Sequence, residues 1–91
     1  MTTWIPVGVN LMQLRTAAKL TQDHIAKYLG VSQTAVHRYE WGEAEAPYRV
    51  LLLLADYYDV SLDYIFGRTE KINWKAVQGK FSPKLKDKRV I

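Results

Sequence analysis

Residues 20–42 read LTQDHIAKYLGVSQTAVHRYEWG, and this stretch decides the fold. Thr21 and Ser32 each precede a helical pattern. A hydroxyl at such a position can accept from the unpaired backbone N–H groups of a first helical turn. Gly30 stands where the first helix must stop, because glycine takes left-handed backbone angles without a Cβ penalty. Ile25, Ala26 and Leu29 fall on one face of the first helix, and Val36 and Tyr39 on one face of the second. Val31 fills the turn between them. Gln33, Thr34, His37 and Arg38 are left facing outward. Two helices so joined, the second polar on its outer side, have the layout of a helix-turn-helix, whose second helix suits the DNA major groove.

On the N-terminal side, Pro6, Gly8 and the β-branched residues suggest an arm over residues 1–9. A first helix is expected from about residue 10 to 18, with Leu11, Leu14 and Ala18 inward and Asn10 with Gln13 forming a capping box. On the C-terminal side, the loop 41–46 leads to a fourth helix opened by Pro47, a residue favoured in a first turn. Val50, Leu51, Leu54, Ala55 and Tyr58 supply its buried side. Leu52 and Leu53 make it apolar nearly all round, which implies deep burial or a covered surface. Asp59, Val60 and Ser61 form a turn and cap. Leu62, Ile65 and Phe66 make a short fifth helix, stopped by Gly67. Beyond it, residues 72–77 fit a strand or a helical turn. After Ser82 and Pro83 the charge density suggests disorder.

The chain has 91 residues and no cysteine, so one domain is expected, without disulfides or thiolate metal sites. Two histidines without a matching carboxylate cluster argue against a metal site. No cofactor is implied, and no nucleophile–base–acid order points to an enzyme. The apolar N-terminal stretch lacks a basic flank, and it and the run 50–55 are too short to span a membrane. A soluble cytoplasmic protein is expected. The net charge of +4 is unevenly spread: residues 1–67 carry five Lys/Arg against seven Asp/Glu, and residues 68–91 carry eight against two. A basic tail can hold phosphates, or can simply be a solvated terminus.

Residues 11–67 resemble the phage-repressor and Cro-like, or XRE-type, helix-turn-helix family. The resemblance is carried by Leu14-Arg15, Leu20-Thr21-Gln22, Ala26, Leu29-Gly30-Val31-Ser32, Tyr39-Glu40, Pro47 and the run VSLDYIFG at 60–67. It implies an all-α, compact five-helix lambda-repressor-like domain at residues 10–67, between an arm (1–9) and a basic, partly disordered extension (68–91). It also implies binding to double-stranded operator DNA, usually as a homodimer. By that resemblance Gln33, Thr34, His37 and Arg38 meet base edges. A glutamine carboxamide suits adenine, and an arginine suits guanine. Gln22, Ser32 and Arg49 become the phosphate contacts, with Gln22 also bracing Gln33. Arg15 and Glu40 become a structural ion pair between the first and third helices. Two departures stand out. The loop after the recognition helix carries Glu43 and Glu45 where basic residues are common. Trp41 stands where small or basic residues are common; it can pack on the loop or lie against the sugar-phosphate surface, and packing is the expectation.

The leading functional expectation is a sequence-specific transcriptional regulator, most simply a dimeric repressor of phage or mobile-element type on an inverted-repeat operator. A cleavable repressor carries a C-terminal peptidase domain, and none is expected in the 24 residues after Gly67. The alternative is an antitoxin-type interaction protein that blocks a toxin and regulates its own operon. There the C-terminal segment, with Ile72, Trp74, Val77 and Phe81 among its lysines, would fold on a protein partner. An architectural DNA-coating role would call for a basic folded domain, which residues 1–67 are not.

Overall fold

Apolar residues at helical spacing recur along the chain, and most of them meet in one core. The computed structural model describes residues 4–79, with side chains from residue 6 on. Six helices follow one another there: α1 (Trp4–Ala17), α2 (Gln22–Leu29), α3 (Gln33–Glu40), α4 (Tyr48–Tyr58), α5 (Leu62–Ile65) and α6 (Trp74–Gly79). No strand is present among the described residues. One core joins Val7, Leu11 and Leu14 of α1, Ile25 and Leu29 of α2 and Val36 of α3. Val50, Leu54 and Tyr58 of α4, Ile65 of α5 and Val77 of α6 complete it. Burial pushes the Tyr58 phenol well above its ordinary pKa, so it stays neutral in that core.

Three N-caps are hydroxyls that each accept a backbone N–H at 3.0 Å: Thr21 from His24, Ser32 from Ala35 and Ser61 from Tyr64. Such a cap contributes about 1 kcal/mol, and the three fix where α2, α3 and α5 begin. Gly30 ends α2 with φ of 75°, and Asp59 ends α4 with φ of 58°. Asp59 is among the residue types that tolerate this left-handed region.

Three expectations are corrected. First, residues 4–9 are helix rather than arm, and α1 is a single helix of 14 residues. Pro6 lies in its first turn, where a missing N–H costs no hydrogen bond. Gly8 lies where α1 crosses the end of α3: a Cβ there would stand 2.5 Å from the carbonyl oxygens of both Tyr39 and Glu40. Glycine is thus a packing requirement within the helix. Second, Asn10 does not begin a helix. It sits inside α1 and its Nδ2 donates to the carbonyls of Tyr64 (3.0 Å) and Ile65 (3.1 Å), which ties α1 to the end of α5.

Third, the core does not end at Gly67. Residues 74–79 form a sixth helix, Val77 is fully buried, and Trp74 meets Tyr64 edge-on with ring centroids 6.2 Å apart. The helical unit therefore passes both boundaries expected at residues 10 and 67. Phe66 falls outside that core, exposed at the C-cap of α5. Leu52 is exposed and Leu53 partly buried, so α4 is not enclosed on every side within one chain. The expectation of disorder after Pro83, and most of the basic tail, lie outside the described residues. No helix of the described residues is long and apolar enough to cross a membrane, and none of their His, Asp and Glu side chains cluster as a metal site.

Candidate nucleic-acid interface

α3 is held from behind by one buried polar knot. Glu40, at the last turn of α3, is only 4% exposed. Its Oε2 accepts from Arg15 Nε at 2.7 Å, and its Oε1 accepts from Arg15 Nη2 and from Gln22 Nε2, each at 3.0 Å. Arg15 spends its remaining terminal nitrogen on the carbonyl of Leu20, at 2.8 Å. The end of α1, the turn after it, the start of α2 and the end of α3 are thereby tied at one point. A two-pronged arginine–carboxylate contact fixes orientation as well as distance. With the α1 and α2 packing of α3, this leaves α3 little freedom to tilt.

The opposite side of α3 is open. Ser32, Gln33, Thr34, His37 and Arg38 are all exposed. Among the described residues, none of the side chains of Gln33, Thr34, His37 and Arg38 makes a hydrogen bond or ion pair. The spacing 33, 34, 37, 38 puts them on one face as two adjacent i, i+4 rows. They are thus brought together, exposed and uncommitted, on a rigidly seated helix.

The candidate phosphate contacts are more dispersed. Ser32 stands at the start of α3, where the first N–H groups of the helix face outward, although its hydroxyl is used as the cap. Gln22 is half-buried and donates to Glu40, so the bridge expected from Gln22 to Gln33 is replaced by one to the ion pair. Arg49 is exposed, and its Nη1 donates to the carbonyl of Leu29 at 3.2 Å, closing the C-terminal end of α2. Lys27 is paired with Asp23 across one helical turn at 3.3 Å. Glu43 and Glu45 lie exposed in the loop after α3, so negative charge stands beside the open face.

Trp41 does not pack on the loop as expected. The residue is 60% exposed and its ring leans on His37, with centroids 5.8 Å apart and planes 34° from parallel. Sequence patterning also passes over Gly8 and Asn10, which seat α1 against α3 and α5. Val7, spaced i, i+4 and i+7 with Leu11 and Leu14, is the signal that could have extended α1 backwards.

A capped pair of short helices, the second anchored on its inner side and polar on its outer side, defines a helix-turn-helix domain. Residues 11–65 match the family described as Helix-turn-helix, and the chain belongs to that family. Its relatives include two proteins of Bacillus subtilis (strain 168), both named uncharacterized HTH-type transcriptional regulators. YobD is 42% identical over 60 residues, covering 66% of this chain and 54% of that protein. YqaE is 41% identical over 56 residues, covering 62% of this chain and 48% of that protein. The chain spans about half the length of these two relatives. The Enterococcus faecalis protein BcrR, named an HTH-type transcriptional activator, is 34% identical over 62 residues, covering 68% of this chain and 30% of that protein. No solved structure matches the chain.

Proposed function

We propose that the chain is a sequence-specific transcriptional regulator that binds double-stranded DNA through the outer face of α3. One observation carries this reading. Gln33, Thr34, His37 and Arg38 lie exposed and uncommitted on a helix whose other side is locked by the Arg15–Glu40–Gln22 knot. Base reading requires side chains that can be desolvated without breaking an internal bond, on a support that does not yield. Gln33 is assigned to an adenine edge and Arg38 to a guanine edge or a neighbouring phosphate. Thr34 suits a thymine methyl, and His37 a base or phosphate one turn further on. Ser32, at the start of α3, and Arg49, at the start of α4, are assigned as phosphate contacts, and Gln22 contributes through the oxygen of its carboxamide. The most economical regulatory output is repression, by a homodimer that occupies an inverted repeat and excludes polymerase.

Gln33→Ala and Arg38→Ala test the base-reading role. Each is expected to cost about 1–3 kcal/mol on a duplex recovered by selection from a random pool, and to relax the preference at one base pair. Thermal unfolding should be unchanged, because both side chains are exposed. Binding titrations against the selected duplex and a scrambled one decide the matter. An equal loss on both would leave phosphate contact alone and remove the reading of bases.

A further inference from the structure

The least expected feature of the open face is the large ring at its end. Trp41 follows Gln33 and His37 at i+8 and i+4, so the three share one row along α3 and its cap. Trp41 is 60% exposed, and the ring contact with His37 makes the row continuous. Its backbone N–H already closes α3 by donating to the carbonyl of His37 at 3.0 Å, a role that any residue could fill. The side chain is therefore not needed to end the helix, and it is not in the core.

Eight residues of helix rise roughly 12 Å, which is about the width of the major groove. With Gln33 at the groove floor, Trp41 stands at the rim, where deoxyribose and phosphate lie. The neighbouring loop offers Glu43 and Glu45, which repel phosphate. A neutral indole supplies what that loop lacks: an apolar face for the sugar and an N–H donor for a phosphate oxygen.

We propose that Trp41 is a sequence-independent DNA contact, its ring against the deoxyribose and Nε1–H toward phosphate, continuing the row begun by Gln33 and His37. The proposal rests on the DNA-binding reading of α3. Because the contact is uncharged, it releases no counterion and leaves the salt dependence of binding alone.

The full chain with 5-fluorotryptophan in place of tryptophan gives one fluorine resonance per Trp, assigned with Trp4→Phe, Trp41→Phe and Trp74→Phe. The probes are a duplex recovered by selection and a random-sequence duplex of the same length. Either duplex should shift the Trp41 resonance and reduce its solvent isotope effect. Trp41→Ala should weaken both duplexes by about tenfold, the size of one modest contact. The slope of log affinity against log salt and the thermal midpoint should stay as in the unaltered chain. Duplex binding with the Trp41 resonance unmoved overturns this proposal alone. So does a Trp41 resonance shielded in the DNA-free protein as its concentration rises, which would mean that a second copy covers the ring. Absence of binding to any duplex would overturn the reading of α3 and take this proposal with it.

Discussion

Glu40→Ala is expected to destabilise the domain by about 3–5 kcal/mol, the cost of leaving one member of a buried ion pair without its partner. Against a typical total of about 5–15 kcal/mol, this is a large share of the stability of a domain. Arg15 and Gln22 together direct three donor contacts at this one carboxylate, and Glu40 is 4% exposed, so water cannot readily replace it. Glu40→Gln keeps the shape and loses the charge, and should fall in between. Arg15→Ala should be costly as well, but the double variant should lose less than the sum, because each single change already abolishes the same contact. Urea denaturation of the unaltered chain, the three single variants and the double variant measures this. Strict additivity would show that the contact contributes nothing to stability.

The second large effect has a sign opposite to local expectation. Alanine is a better helix former than glycine by about 1 kcal/mol, so propensity alone predicts that Gly8→Ala stabilises α1. The packing predicts the reverse. The added methyl would stand 2.5 Å from two backbone carbonyl oxygens at the end of α3, and backbone cannot swing aside as a side chain can. The helices would have to part, at about 1–3 kcal/mol for overpacking, with strain passed on to the Arg15–Glu40 contact a few residues away. A rise in the thermal midpoint of Gly8→Ala would show that α1 does not rest on α3 at this residue.

Gly8 also shows where the sequence stops being legible. Its reason for being glycine lies some thirty positions away, in Tyr39 and Glu40, and no local pattern reports a close approach between distant segments. Together with Pro6 it therefore reads locally as an arm. Asn10 is the same case: a polar residue near a helix start imitates a cap, while its real partners are the carbonyls of Tyr64 and Ile65. Trp74 and Val77 stand in a stretch too short and too mixed for periodicity to speak, and only their burial against the core reveals α6. By contrast Thr21, Gly30 and Ser32 act on backbone groups within four residues of themselves, so their roles are readable from the chain alone. The outward residues of α3 are legible for a related reason. Once the apolar face of a helix is known, its period leaves only one place for Gln33, Thr34, His37 and Arg38. Arg15 and Glu40 lie between these extremes. Their pairing follows from family resemblance rather than from spacing, and nothing in the sequence points to Gln22 as the third member.

The central claim, that the outer face of α3 reads DNA sequence, is tested most directly by unbiased selection of bound duplexes from a random pool by the full chain, with the size of the free protein measured alongside. Enrichment of an inverted repeat is expected, with half-sites centred about one helical turn, roughly 34 Å, apart, together with a free protein that dimerises or does so on DNA. Recovered duplexes with the same base composition and motif frequencies as the starting pool would contradict it.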